Sequence, residues 1–143
     1  MIISPSLLAS DFLNLESEIQ KLNPLNNLWL HLDIMDGLFV PNLTFGEPIT
    51  KKIVKASKHP CDAHLMVTNP EFHINQMKSF GLHNITFHLE AVTDALKLIR
   101  KAKKYYPSVG ISIKPKTSVN EISDELLRAI DLILVMSVEP GFG

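Results

Sequence analysis

Apolar residues recur along the chain with two alternating periods. Short runs rich in β-branched and bulky apolar residues predict strands over 2–7, 28–35, 62–67, 85–89, 109–113 and 132–138. Between them the spacing lengthens to that of a helix. Phe12, Leu15, Ile19 and Leu22 form one stripe behind the potential cap Ser10, and Ile49, Ile53 and Ala56 a second. Asn69-Pro70 reads as an N-cap followed by proline at the first helical position, with Ile74 and Met77 inward and Gly81 as a stop. Ala95, Leu98, Ile99 and Ala102 form the fourth stripe, and Val119, Ile122, Leu126 and Ile130 the fifth. The order is strand–helix five times over, then a sixth strand, at intervals of roughly 23–32 residues that suit βαβ units with short loops.

Right-handed crossovers then give a parallel sheet, either open and doubly wound or part of a (β/α)8 barrel. Polar residues inside the strands favour the barrel. His31, Asp33, His64, His88 and Glu90 fall at or near the C-terminal halves of their strands, where a barrel places its chemistry. With 143 residues, 45% hydrophobic and 20% charged, the chain reads as one domain with a real core, 1–143. Its net charge of −1 gives no electrostatic case for nucleic acid or an anionic membrane. No apolar run approaches the roughly 20 residues needed to span a bilayer, and the N-terminus does not read as a signal peptide. One cysteine, Cys61, forms no internal disulfide. The expected compartment is the cytoplasm.

The segment Leu30-His31-Leu32-Asp33-Ile34-Met35-Asp36-Gly37 carries the most information. Side chains alternate across a strand, so His31 and Asp33 share one face and Leu30, Leu32 and Ile34 the other. An imidazole and a carboxylate in an apolar strand are costly unless paired, hydrogen-bonded or metal-bound. They fit a structural hydrogen-bonded pair, or two ligands of one divalent ion. His64, on the next strand about 4.8 Å away, is within easy reach as a third ligand. Two imidazoles and a carboxylate suit Zn²⁺, Fe²⁺, Mn²⁺ or Co²⁺ better than Mg²⁺. His88 and Glu90 repeat the alternate spacing, either as partners that orient ligands or as an interior polar pair. Lys114 ends the fifth predicted strand, facing a substrate or simply solvent. Met35, Met66 and Met136 take equivalent late strand positions, as core packing or as polarizable walls for a flat intermediate. The glycines of Glu139-Pro140-Gly141-Phe142-Gly143 permit a plain turn or backbone contact with a phosphate.

Several segments together are more specific. Ile3-Ser4-Pro5-Ser6-Leu7-Leu8-Ala9-Ser10-Asp11, His31-Leu32-Asp33-Ile34-Met35-Asp36-Gly37, Phe39-Val40-Pro41-Asn42 and His64-Leu65-Met66-Val67 resemble the ribulose-phosphate 3-epimerase family. Phe87-His88-Leu89-Glu90-Ala91 and the stretch 135–143 extend the likeness to the whole chain. The resemblance implies a ribulose-phosphate-binding (β/α)8 TIM barrel that interconverts D-ribulose 5-phosphate and D-xylulose 5-phosphate through a cis-enediolate. It implies His31, Asp33 and His64 as metal ligands and Asp33 as a catalytic acid/base. It implies Ser6, His64, Gly141, Phe142 and Gly143 as substrate contacts, and Met35, Met66 and Met136 around the reacting centre. One divalent ion, a sugar phosphate and a homo-oligomer are the expected cofactor, substrate and assembly.

The likeness has departures. The family's second catalytic carboxylate and fourth ligand lie on a seventh strand, in an Asp-Gly-Gly context, whereas only about six strands are read here. The expectation is a C-terminally shortened barrel, a gene fragment or proteolytic remnant, inactive and poor in metal by itself. Leu38 stands where the family has a basic or imidazole side chain, and Asn26-Asn27 and Leu82-His83-Asn84 replace its usual Gly-Ala-Asp strand entries. Alternatives are a 3-epimerase of a ketohexose 6-phosphate, a non-catalytic self-associating barrel fragment, and a metal-free decarboxylase of related architecture, which His31 and His64 disfavour.

Overall fold

A computed structural model describes residues 1–141. Five strands, β1 (Leu30–Met35), β2 (Cys61–Met66), β3 (Asn84–His88), β4 (Ser108–Ile113) and β5 (Leu132–Val135), form one sheet in chain order. Every neighbouring pair is parallel. Helix α1 (Leu15–Leu22) precedes β1, and α2 (Glu47–Ala56), α3 (Pro70–Met77), α4 (Ala95–Ala102) and α5 (Asp124–Ala129) fill the crossovers. The α/β fold corresponds to part of a (β/α)8 barrel.

One face of each strand is apolar and packs on the helices. Leu30, Leu32, Ile34, Ala63, Leu65, Ile85, Phe87, Val109 and Ile111 join Ile19, Ile53, Ile74, Met77, Leu98 and Ile99 in a single core. Each of the larger side chains among them contributes on the order of 2 kcal/mol by leaving water. The helix signals work as their chemistry requires. Asn69 caps α3 by accepting the Phe72 N–H at 3.1 Å, with Pro70 in the first turn. Asp94 caps α4 through the Lys97 N–H, and Arg100 and Lys101 sit in its last turn, where positive charge suits the helix dipole.

The first expected strand, 2–7, is not a full strand. It lies parallel to β1 and its approach, with bridges only at Ile3–Leu28 and Ser6–His31. The Ile3 N–H donates to Asn27 O, and the Trp29 and His31 N–H groups donate to Ile3 O and Pro5 O. The next ladder bond would need an N–H at position 5, and Pro5 has none. Asp11, not Ser10, caps the turn ahead of α1, accepting from the Leu13 N–H at 2.9 Å. The fifth helical stripe divides into a 3₁₀ turn, Val119–Glu121, and the short α5.

The sheet is strongly curved. Six flat strands would put the first and last about 24 Å apart, five spacings of about 4.8 Å. Instead, Ile2 and Ser4 share a cavity with Leu132, Ile133 and Leu134. Asn42 Nδ2 also donates to Gly141 O at 2.5 Å across 99 residues of sequence. The concave face carries the polar half of the alternation: His31 and Asp33, Asp62 and His64, Asn84, Thr86 and His88, Ser108 and Ser112. Gly110 is glycine for want of space there. A Cβ would lie 2.7 Å from Thr86 Oγ1 and 3.1 Å from Leu132 O.

Candidate metal centre

Strand register brings the expected ligands together. Asp33 sits beside His64 across the β1–β2 pair, and His31 beside Asp62. His31, Asp33 and His64 each offer one ligand atom, and the three atoms lie within 4.8 Å of one another. Asp33 Oδ1 is 3.3 Å from His31 Nε2 and 3.1 Å from His64 Nδ1. Asp33 Oδ2 accepts the Ser6 hydroxyl proton at 2.5 Å. Pairing and curvature together thus place a serine of the N-terminal segment on a carboxylate of β1.

The far side of His31 shows that a cation fits the cluster. His31 Nδ1 is 2.7 Å from Asp62 Oδ2. Asp62 Oδ1 accepts from Asn84 Nδ2 at 2.6 Å, and Asn84 Oδ1 accepts from Ser108 Oγ at 2.5 Å. A carboxylate only accepts, so Nδ1 carries a proton toward Asp62; Nε2 donates a proton to Asp33 when no ion is bound and would turn its lone pair to an ion in the cluster. Two ring nitrogens and a carboxylate oxygen then converge in a buried place, an arrangement completed by a proton or a metal ion.

Titration follows the same logic. Burial pushes the His31 imidazolium down, but hydrogen bonds and charge from Asp33 and Asp62 prevail and raise it to about 10. Burial pushes Asp33 up, and hydrogen bonds from His31, His64 and Ser6 outweigh that, holding it well below the usual carboxylate range. His88, 2.9 Å from His64 through the two Nε2 atoms, is lowered to about 4, first by burial and then by His64. It stays neutral at physiological pH.

Asp33 opens onto a cavity of about 440 Å³ that Ser6, Met35, Met66, Met136 and Gly141 also line. Met35 and Met66 are register partners and pack with Val40. Gly141 meets the cavity with φ +92°, a conformation that favours glycine, and a Cβ there would lie 2.8 Å from Val40. Phe142 and Gly143 lie outside the described residues. His64 is 1% exposed, sits in the ligand cluster and is not among the residues lining this cavity. Lys114 places its ammonium 4.1 Å from the centre of the Phe39 ring, and its amide donates to Glu90.

Some of the site escaped the sequence reading. Asp62 orients His31, and its alternate spacing with His64 was the available signal. Leu8 and Ala9, in a 3₁₀ turn over Leu7–Ala9, and Asn42, in the loop after β1, also line the cavity. Asp36 accepts the Leu38 and Phe39 amides on one oxygen and the Thr68 amide and hydroxyl on the other, tying the loops after β1 and β2. Burial pushes its pKa up, and these bonds together outweigh that and lower it to about 2.

Among the described residues, no helix is long and apolar enough to cross a membrane. The profile of the ribulose-phosphate 3 epimerase family matches residues 2–143. A ribulose-phosphate 3-epimerase, cytoplasmic isoform, of Oryza sativa subsp. japonica is 44% identical over 144 residues, covering 99% of this chain and 63% of that protein. A ribulose-phosphate 3-epimerase of Mycobacterium bovis is 42% identical over 142 residues, covering 99% and 61%. One from Treponema pallidum is 43% identical over 140 residues, covering 98% and 64%. The chain thus spans less than two thirds of the length of these curated relatives.

Proposed function

Because the chain belongs to the ribulose-phosphate 3-epimerase family, we propose that it serves the C3 epimerisation of a ketopentose 5-phosphate, interconverting D-ribulose 5-phosphate and D-xylulose 5-phosphate. The supporting observation is the convergence of His31, Asp33 and His64 beside a cavity that Asp33 itself lines. A divalent ion held by these three, drawn from Zn²⁺, Fe²⁺, Mn²⁺ and Co²⁺, would supply Lewis acidity to the sugar oxygens around C2 and C3.

The chain's own groups account for the rest. Asp33 takes the proton from one face of C3, giving the cis-enediolate, and returns a proton to that face in the reverse direction. Its depressed pKa keeps it in the accepting form, and the Ser6 hydroxyl holds Oδ2 in place. Inversion needs a proton donor on the opposite face too, a role this reading leaves to a group other than Asp33. Met35, Met66 and Met136 form a polarizable wall that keeps water from the flat intermediate. Backbone N–H groups around Gly141, with Phe142 and Gly143, take the phosphate end. The same reading puts the protein in the cytoplasm, in keeping with the name of the rice relative.

The test is chelation followed by reconstitution. Ribulose 5-phosphate in deuterated water is expected to gain deuterium at C3 only after a divalent ion is restored, and to become xylulose 5-phosphate only where a donor for the opposite face is supplied as well. Turnover that persists in chelator, and in His31→Ala and His64→Ala variants, would overturn the reading.

A further inference from the structure

We infer that Glu90 and His88 form a positioning arm that sets the tautomer of His64 and ties the cluster to the loop after β4; this rests on the metal reading above. The arm begins at groups whose direction is fixed. The Lys114 backbone N–H can only donate, and it reaches Glu90 Oε1 at 2.7 Å. The Thr117 hydroxyl meets the same oxygen. Oε1 is thereby engaged, and Oε2 faces His88 Nδ1 at 3.3 Å. An ionised carboxylate accepts, so the His88 proton belongs on Nδ1.

His88 Nε2 is then an acceptor, 2.9 Å from His64 Nε2. The proton between the two rings therefore comes from His64. With an ion in the cluster, His64 Nδ1 is left as a lone pair aimed at that ion, 3.1 Å from Asp33 Oδ1. Reversing the arm would put a His88 lone pair against the Glu90 carboxylate. His88 is 0% exposed, so water does not substitute for either neighbour.

His31 and His64 thus reach one cluster by different routes. His31 is held directly by Asp62, whereas His64 is held through a second imidazole by a carboxylate at the rim. The longer route gives a surface loop, 114–117, a hand in how His64 presents its lone pair. Glu90 and His88 are positioning residues because they act through His64.

Histidine ¹⁵N spectra of the Zn²⁺-loaded wild-type protein test the arm directly. The expected result is a proton on Nε2 of His64 and on Nδ1 of His88. Competition with a chromogenic chelator measures Zn²⁺ affinity, and thermal melts establish that each variant is folded. Glu90→Leu is expected to weaken Zn²⁺ binding about 10-fold or more. Glu90→Gln, whose single carbonyl can accept from His88 only by giving up the Lys114 amide, is expected to recover part of the loss, and Thr117→Val to lose less than Glu90→Leu. A Zn²⁺-loaded wild-type spectrum with the His64 proton on Nδ1 overturns the arm, even if Glu90→Leu fails to fold. So does a folded Glu90→Leu with unchanged affinity and unchanged His64 tautomer. Wild-type protein that binds no Zn²⁺, Fe²⁺, Mn²⁺ or Co²⁺ overturns the metal reading and the arm with it, whereas binding that ignores Glu90 overturns the arm alone.

Discussion

On β1, Leu30, Leu32 and Ile34 turn outward into the helical layer, while His31 and Asp33 turn inward to the concave face. The same contrast runs across β2 and β3, where Ala63, Leu65, Ile85 and Phe87 back onto Asp62, His64, Asn84, Thr86 and His88. Both sets are largely buried: Phe87 is 0% exposed and His64 1%. Burial alone therefore does not separate structure from chemistry in this sheet. The outer set is held by shape and loss of water, which tolerate swaps that keep volume. The inner set is held by directional bonds, and among the described residues no buried polar side-chain atom lacks a partner. Such a network contributes little net stability per bond but is costly to interrupt, so each member constrains its neighbours.

Substitutions on the two faces should separate these roles. The largest effect is expected at Asp33→Asn, which removes a ligand charge and the proposed base together. C3 proton exchange should fall by roughly 10²–10⁴-fold while the fold persists, as circular dichroism and NMR exchange would show. Retained exchange would break the division of labour. Phe87→Ala should do the reverse, lowering unfolding free energy by about 3–5 kcal/mol in urea melts and leaving Zn²⁺ affinity of the folded protein unchanged. A large loss of affinity would mean that the faces are coupled.

Gly110→Ala probes the crowded inner wall, where the new methyl would press on Thr86 and Leu132. A loss of about 1–3 kcal/mol is expected from the same melts. At the rim, the lowered pKa of Asp36 gives stability that is fully present above its ordinary 3.8 and lost as pH falls through about 2. Melting midpoints between pH 5 and pH 2 should drop more steeply for the wild type than for Asp36→Asn. Least affected should be the exposed Arg100–Glu125 pair, at 3.1 Å. Glu125→Gln is expected to change stability by less than about 0.5 kcal/mol.

The pattern of residues and the final geometry divide along a physical line. Alternation placed His31 with Asp33 and opposed both to Leu30 and Leu32, because side chains on a strand change face at every residue. The Asn69 cap was legible for a similar reason, since its bond closes within three residues of sequence. Pro5 was visible as well, yet its consequence was not, because the missing N–H matters only where Trp29 O lies alongside. Asn42 on Gly141 and Glu90 beneath Thr117 and Lys114 had no local signature at all. These depend on how far the sheet curves and which loops it brings together. Periodicity along one strand settles which way a side chain points, but the partner it meets is chosen by packing among segments far apart in the chain.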